Sequence, residues 1–154
     1  MKLPRDRLAR SALVVFLAGS TGVWAQERKL ACDAVPAAVR AAFEKAFPKA
    51  TINGCAEEDE KGKTAFEITS TEGETGRDVL FYADGTLAVV EETIAVGNLP
   101  DPVRQAVHKK YPGDPITLAE KVTRDAAVVY EFRVKHRGEF VEAVFDADGN
   151  EMKQ

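Results

Sequence analysis

Residues 36–48 read PAAVRAAFEKAFP, and residues 100–112 read PDPVRQAVHKKYP. The second stretch repeats the first at an offset of 64 without a gap. Pro36, Val39, Arg40, Ala42, Lys45 and Pro48 recur as Pro100, Val103, Arg104, Ala106, Lys109 and Pro112. Val39, Phe43 and Phe47 stand four apart, as do Val103, Val107 and Tyr111, so each copy carries one apolar stripe at helical period. Proline is tolerated in a first helical turn and disfavours helix at the residue before it. Pro36 and Pro48, and Pro100 and Pro112, therefore bracket two short helices. Helices this short are marginal alone, so their stripes must lie on something else.

The echo continues downstream and supplies that partner. Ile52 recurs as Ile116, Glu67 as Glu131, and Phe81-Tyr82-Ala83-Asp84-Gly85 as Phe145-Asp146-Ala147-Asp148-Gly149. Strands are expected over 50–57, around Phe66 and Ile68, over 77–82 and over 86–93. In the second copy they fall over 116–123, 127–135 and 139–145, with a last strand cut short. The run 58–63 reads as a polar turn, and each Asp-Gly as a hairpin turn. Connections this short make the strands antiparallel. The fold class is α+β: two tandem α-β-β-β(-β) repeats, about 33–96 and 97–154, with the helices packed on one face of an antiparallel sheet. Phe66, Ile68, Val79 and Phe81 face the helices, with Tyr130, Phe132, Ala143 and Phe145 in the second copy, around one shared core.

The N-terminus reads as a cleavable export signal. Lys2, Arg5, Arg7 and Arg10 precede a short apolar run, residues 12–18, and Val23-Trp24-Ala25 ends it with small residues two apart. A spanning helix needs about 20 apolar residues, so the segment is a signal peptide over 1–25 rather than an anchor. The domain is then 26–154, with no stable membrane insertion. Removing the segment takes four basic residues and one acid, which moves the formal charge from −4 to −7. That balance disfavours nucleic acid as a partner. Cys32 and Cys55 are an even pair in an oxidising compartment, and so read as a disulfide. A helix out and a strand back bring them level beside the helix start.

No catalytic constellation is present. His108 and His136 have no nucleophile in a recognisable motif nearby. No cofactor, phosphate loop or metal motif is expected; the Asp-rich turn 146–151 lacks the ligand spacing of a calcium loop. What remains is the sheet face turned away from the helices. It carries Glu67, Leu80 and Tyr82 in the first copy, and Glu131, Arg133, Lys135, Phe140 and Val144 in the second. Thr69 lies there too. A face mixing aromatic, aliphatic and charged groups resembles the centre of a protein-recognition patch.

Val35-Pro36 and Leu99-Pro100 open the helices, which close on Phe47-Pro48-Lys49-Ala50 and Tyr111-Pro112-Gly113-Asp114. Phe66-Glu67-Ile68 or Tyr130-Glu131-Phe132 follows, and the Asp-Gly turns finish each unit. In order and spacing this resembles the PepSY-like, β-lactamase-inhibitor-protein-like family of exported bacterial proteins. The resemblance covers nearly the whole mature chain. It implies a helix-plus-antiparallel-sheet module that binds or restrains another protein rather than an enzyme. Inhibitor relatives bind an enzyme on a concave sheet face, and PepSY modules are linked to restraint of proteases. The mature part has no tryptophan, a residue enriched at binding hot spots, and departs from the enzyme inhibitors there. The expected function is a non-enzymatic binding module, periplasmic or secreted, with a protein partner. The alternative is a periplasmic small-ligand or cation sensor.

Overall fold

The computed structural model describes residues 27–153; the signal peptide expected over 1–25 lies outside the described residues. Strand β1 spans Arg28–Leu30 and a 3-10 turn Cys32–Ala34, followed by helix α1, Ala37–Ala46. Strands β2 (Thr51–Glu60), β3 (Lys63–Glu72), β4 (Thr75–Tyr82) and β5 (Leu87–Thr93) come next. A second 3-10 turn, Val96–Asn98, leads to helix α2, Asp101–Lys110. Strands β6 (Ile116–Arg124), β7 (Ala127–His136), β8 (Glu139–Asp146) and β9 (Glu151–Met152) complete the described chain. The strands form one sheet in chain order, and each pairs antiparallel with the next.

Both helices lie on the same face. Val39 and Phe43 of α1 bury against Ile68, Val79 and Phe81, with Phe66 packed at the margin. Val103 and Val107 of α2 bury against Tyr130, Phe132, Ala143 and Phe145. The expected inward-facing residues are thus placed as read. The expected single core is not what forms: each helix has its own cluster. A ten-residue helix is about 15 Å long and cannot reach beyond the strands that follow it.

A third cluster lies on the opposite face and joins Ala65, Leu80, Ala88, Val89 and Val122. Curvature creates it. Strands β2 and β6 are four positions apart, about 19 Å on a flat sheet at roughly 4.8 Å per strand. Yet Glu60 on β2 and Arg124 on β6 form an ion pair. Lys61 also approaches Asp125 to 3.9 Å. The β2–β3 and β6–β7 turns therefore meet, and the sheet rolls into a trough with the helices outside.

The run 58–63 is not a six-residue turn. Glu58, Asp59 and Glu60 extend β2, and the reversal is Lys61-Gly62, with φ of 54° and 79°. Two central residues with positive φ make the hairpin turn that suits twisted strands. The Asp-Gly turns have a second constraint. A Cβ on Gly85 would stand 2.8 Å from the Ala38 carbonyl oxygen of α1, and one on Gly149 would stand 2.6 Å from that of Pro102 in α2. Glycine lets each turn touch the helix backbone.

Cys32 and Cys55 form the disulfide, with Cα atoms 5.2 Å apart. It ties the segment entering α1 to β2. Replacing both by alanine is expected to cost about 3 kcal/mol through the freed unfolded chain, read as a lower midpoint in urea. Gly85→Ala should cost about 2–3 kcal/mol, because strain at positive φ adds to a backbone clash. Gly62→Ala, with open space around it, should cost only about 1 kcal/mol. Thermal melts of the two variants compare them directly.

Candidate functional site

Partners in a ladder share a face, so register assigns the trough lining. Glu67 pairs with Leu80 and Ala65 with Tyr82. Glu131 pairs with Val144, Arg133 with Glu142, and Lys135 with Phe140. All eight candidate residues therefore share the face away from the helices. They do not share an environment. Leu80, Val144, Glu67 and Glu131 are buried, Tyr82 and Arg133 are half-buried, and Lys135 is exposed. Phe140 is 64% exposed. The expectation of an open face is thus corrected: curvature buries its centre and leaves a rim.

The centre holds more carboxyl groups than sequence reading found. Glu58 pairs in register with Ala65, Glu91 with Asp78 and Glu120 with Glu131, which places them all on this face. Glu58, Glu60, Glu67, Glu91, Glu120 and Glu131 are all buried. Among these, Glu60 meets Arg124, and Glu67 Oε1 accepts the Thr69 hydroxyl at 3.1 Å. Glu58 Oε1, Glu67 Oε2 and Glu131 Oε2 have no hydrogen-bond partner among the described residues. A signal for this row existed. Continuing the alternation of β2 through Ala56, Glu58 and Glu60 puts the acids on one side; reading them as a turn hid it.

Burial disfavours a carboxylate, and neighbouring carboxylates add to the effect. Burial, then Asp78 and Glu58, push Glu67 up to about 8. Burial and Glu120 push Glu131 up to about 8, against the pull of Arg124. Burial and Glu131 hold Glu91 well above the usual range. Glu67, Glu91 and Glu131 therefore hold their protons to higher pH than an exposed glutamate does.

Other suggestive groups are structural. Asp146 Oδ1 accepts the amides of Asp148 and Asn150 at 3.0 and 2.8 Å, which locks a hairpin turn. His136 is half-buried: its Nδ1 lies 2.6 Å from Asp114 Oδ2, and its ring meets Tyr111 edge-on. Among the described residues, no three His, Cys, Asp or Glu side chains are placed to share a metal ion. No described helix is long and apolar enough to cross a membrane.

A family profile described as beta-lactamase-inhibitor-like, PepSY-like matches residues 19–87 and again 64–153. Three solved structures from Bacteroides are similar in fold. A DUF2874 family protein from Bacteroides ovatus is 17% identical with a TM-score of 0.63, covering 77% of this chain and 84% of its own. A BLIP-like protein from Bacteroides fragilis is 20% identical with a TM-score of 0.61, over 77% and 84%. A protein from Bacteroides eggerthii, provisionally described as periplasmic, is 15% identical with a TM-score of 0.67, over 77% and 86%. No curated protein matches the chain.

The acids also set the pH dependence of stability. In the unfolded chain a glutamate titrates near 4.5, whereas folding raises Glu67 and Glu131 to about 8. The folded state then holds more protons between those limits, so stability falls as pH rises through the window. Melting temperature should decline from pH 5 to pH 9. Glu67→Gln should match wild type at pH 5 and exceed it at pH 9 by about 1–3 kcal/mol, since its amide has no charge to bury.

Proposed function

Since this chain belongs to the PepSY-like, β-lactamase-inhibitor-like family, we propose that it is a non-enzymatic, exported module that binds or restrains another protein. One observation carries the reading: the chain turns a curved sheet face away from both helices, with an exposed rim. On it Phe140 and Lys135 stand together in register, and Tyr82 lies half-buried at the first-copy end. An exposed aromatic beside a buried centre suits an anchor residue at an interface. The disulfide supports export, because such bonds persist in oxidising compartments. We place the mature protein in the periplasm or outside the cell, after loss of residues 1–25. We also read it as two repeats of one unit, about 33–96 and 97–154. The 64-residue echo supports this, as do the ion pairs Glu60–Arg124 and Lys61–Asp125, each joining positions 64 apart.

Affinity capture with the mature protein from a periplasmic extract tests the reading. A specific protein should be retained by wild type and retained at least tenfold less by Phe140→Ala and Tyr82→Ala, the loss of an aromatic anchor being worth about 1.4 kcal/mol or more. Equal retention by all three proteins would remove this face from the proposal.

A further inference from the structure

At the β1 edge the sheet holds a pocket of about 490 Å³, lined by Glu27, Arg28, Glu57, Glu58, Asp59 and Thr64. Its only base is already engaged, since Arg28 forms an ion pair with Glu57 at 2.7 Å. None of the ion pairs among the described residues engages Glu27, Glu58 or Asp59. One lining residue, Glu58, also carries a carboxyl oxygen without a donor. Glu58 is only 6% exposed, and its Oε1 has no hydrogen-bond partner among the described residues. Leaving such a group unmatched in a folded chain is costly, and a matching donor removes that cost.

We propose that this pocket receives the ammonium or guanidinium group of a lysine or arginine on a protein partner. The Glu58 carboxyl, turning toward the pocket, is the acceptor, and Glu27 supplies negative charge beside it, while Asp59 on the other face of β2 accepts the Gly62 amide. The inference rests on the binding-module reading and gives the partner a chemistry. A bare metal ion suits the pocket less well. It needs several oxygens at about 2.0–2.6 Å, and no three acidic side chains among the described residues are placed to share one. A side-chain cation carries three to five donors on a longer arm and can meet acceptors that stand apart.

The groups around Glu58 favour a cation. Glu27 precedes β1 next to the pocket, and Lys29 lies on the same face beside Ala56. Across the ladder, Ala65 stands between Lys63 and Glu67, with Lys63 lying over the Tyr82 ring. Arg124 comes from β6 but is paired with Glu60. Burial first, then Glu60 and Glu27, push the Glu58 carboxyl up to about 7, with Asp78 adding and Arg124 opposing. An entering cation must displace the Glu58 proton, so binding and deprotonation are linked and affinity grows with pH.

The test is an NMR titration of the mature chain at low salt with a capped Ala-Lys-Ala peptide. The same peptide acetylated on its lysine, and spermidine, are the comparison ligands. The lysine peptide should shift amides of residues 27–29, 57–59 and 64, and the acetylated peptide should not. Its affinity should weaken about tenfold from pH 8 to pH 6, following loss of one carboxylate near pH 7. Glu58→Gln should abolish both the binding and its pH dependence, and circular dichroism should show that variant folded. Lys109→Ala, exposed on α2, should leave the peptide response unchanged. Equal response to the acetylated peptide, or unaltered binding by folded Glu58→Gln, would overturn the proposal. Spermidine binding where the peptide does not would assign the pocket to a free amine and overturn the protein source. A captured partner that holds Glu58→Gln as tightly as wild type would remove this pocket while leaving the binding module standing.

Discussion

Two ten-residue helices cannot cover nine strands, and the structure is organised by that shortage. Each helix is about 15 Å long and 10 Å wide, whereas nine strands at roughly 4.8 Å spacing span nearly 40 Å. The helices therefore shield two separate clusters on one face. Among the described residues the other face has no second layer of secondary structure, and the sheet curls on itself. The meeting of the β2–β3 and β6–β7 turns, through Glu60–Arg124 and Lys61–Asp125, marks how far that curl goes. Leu80, Val89 and Val122 are buried as a consequence.

The curl encloses carboxyl groups that an uncurled sheet would leave in water. A buried carboxylate is costly unless paired, and the usual escape is to take up a proton. Glu58, Glu67, Glu91 and Glu131 all move in that direction. Purely for stability, apolar residues of similar size would serve better there. Acids kept at a cost in stability are commonly found where a protein meets something else. The trough thus has an apolar-and-acid centre and an exposed rim, and its β1 edge holds an acidic pocket.

Much of this was legible because it is local. Apolar spacing of four between flanking prolines marked α1 and α2. Alternation marked the inward residues of β3, β4, β7 and β8, and the geometry of a helix followed by a strand brought Cys32 to Cys55. The Asp-Gly turns were visible as turns, but not the reason they need glycine, which is contact with the backbone of α1 and α2. Glu58 to Glu60 were misplaced because acids crowded before Lys61-Gly62 look like a loop, whereas the two positive φ values there let the hairpin close in two residues.

The sequence by itself determined the two helices, the order of the strands that follow each, the face taken by the residues of β3, β4, β7 and β8, and the staple between residues 32 and 55. All of these follow from short-range periodicity and chain reach. Only the tertiary structure decided how far the sheet curls, which residues of the free face are buried, and which carboxyl groups therefore hold their protons. Curvature sums small twists over nine strands and depends on pairs such as Glu60 and Arg124, which are 64 residues apart. No local pattern carries that sum, so the same eight residues read as one open face in the sequence and divide into centre and rim in the fold.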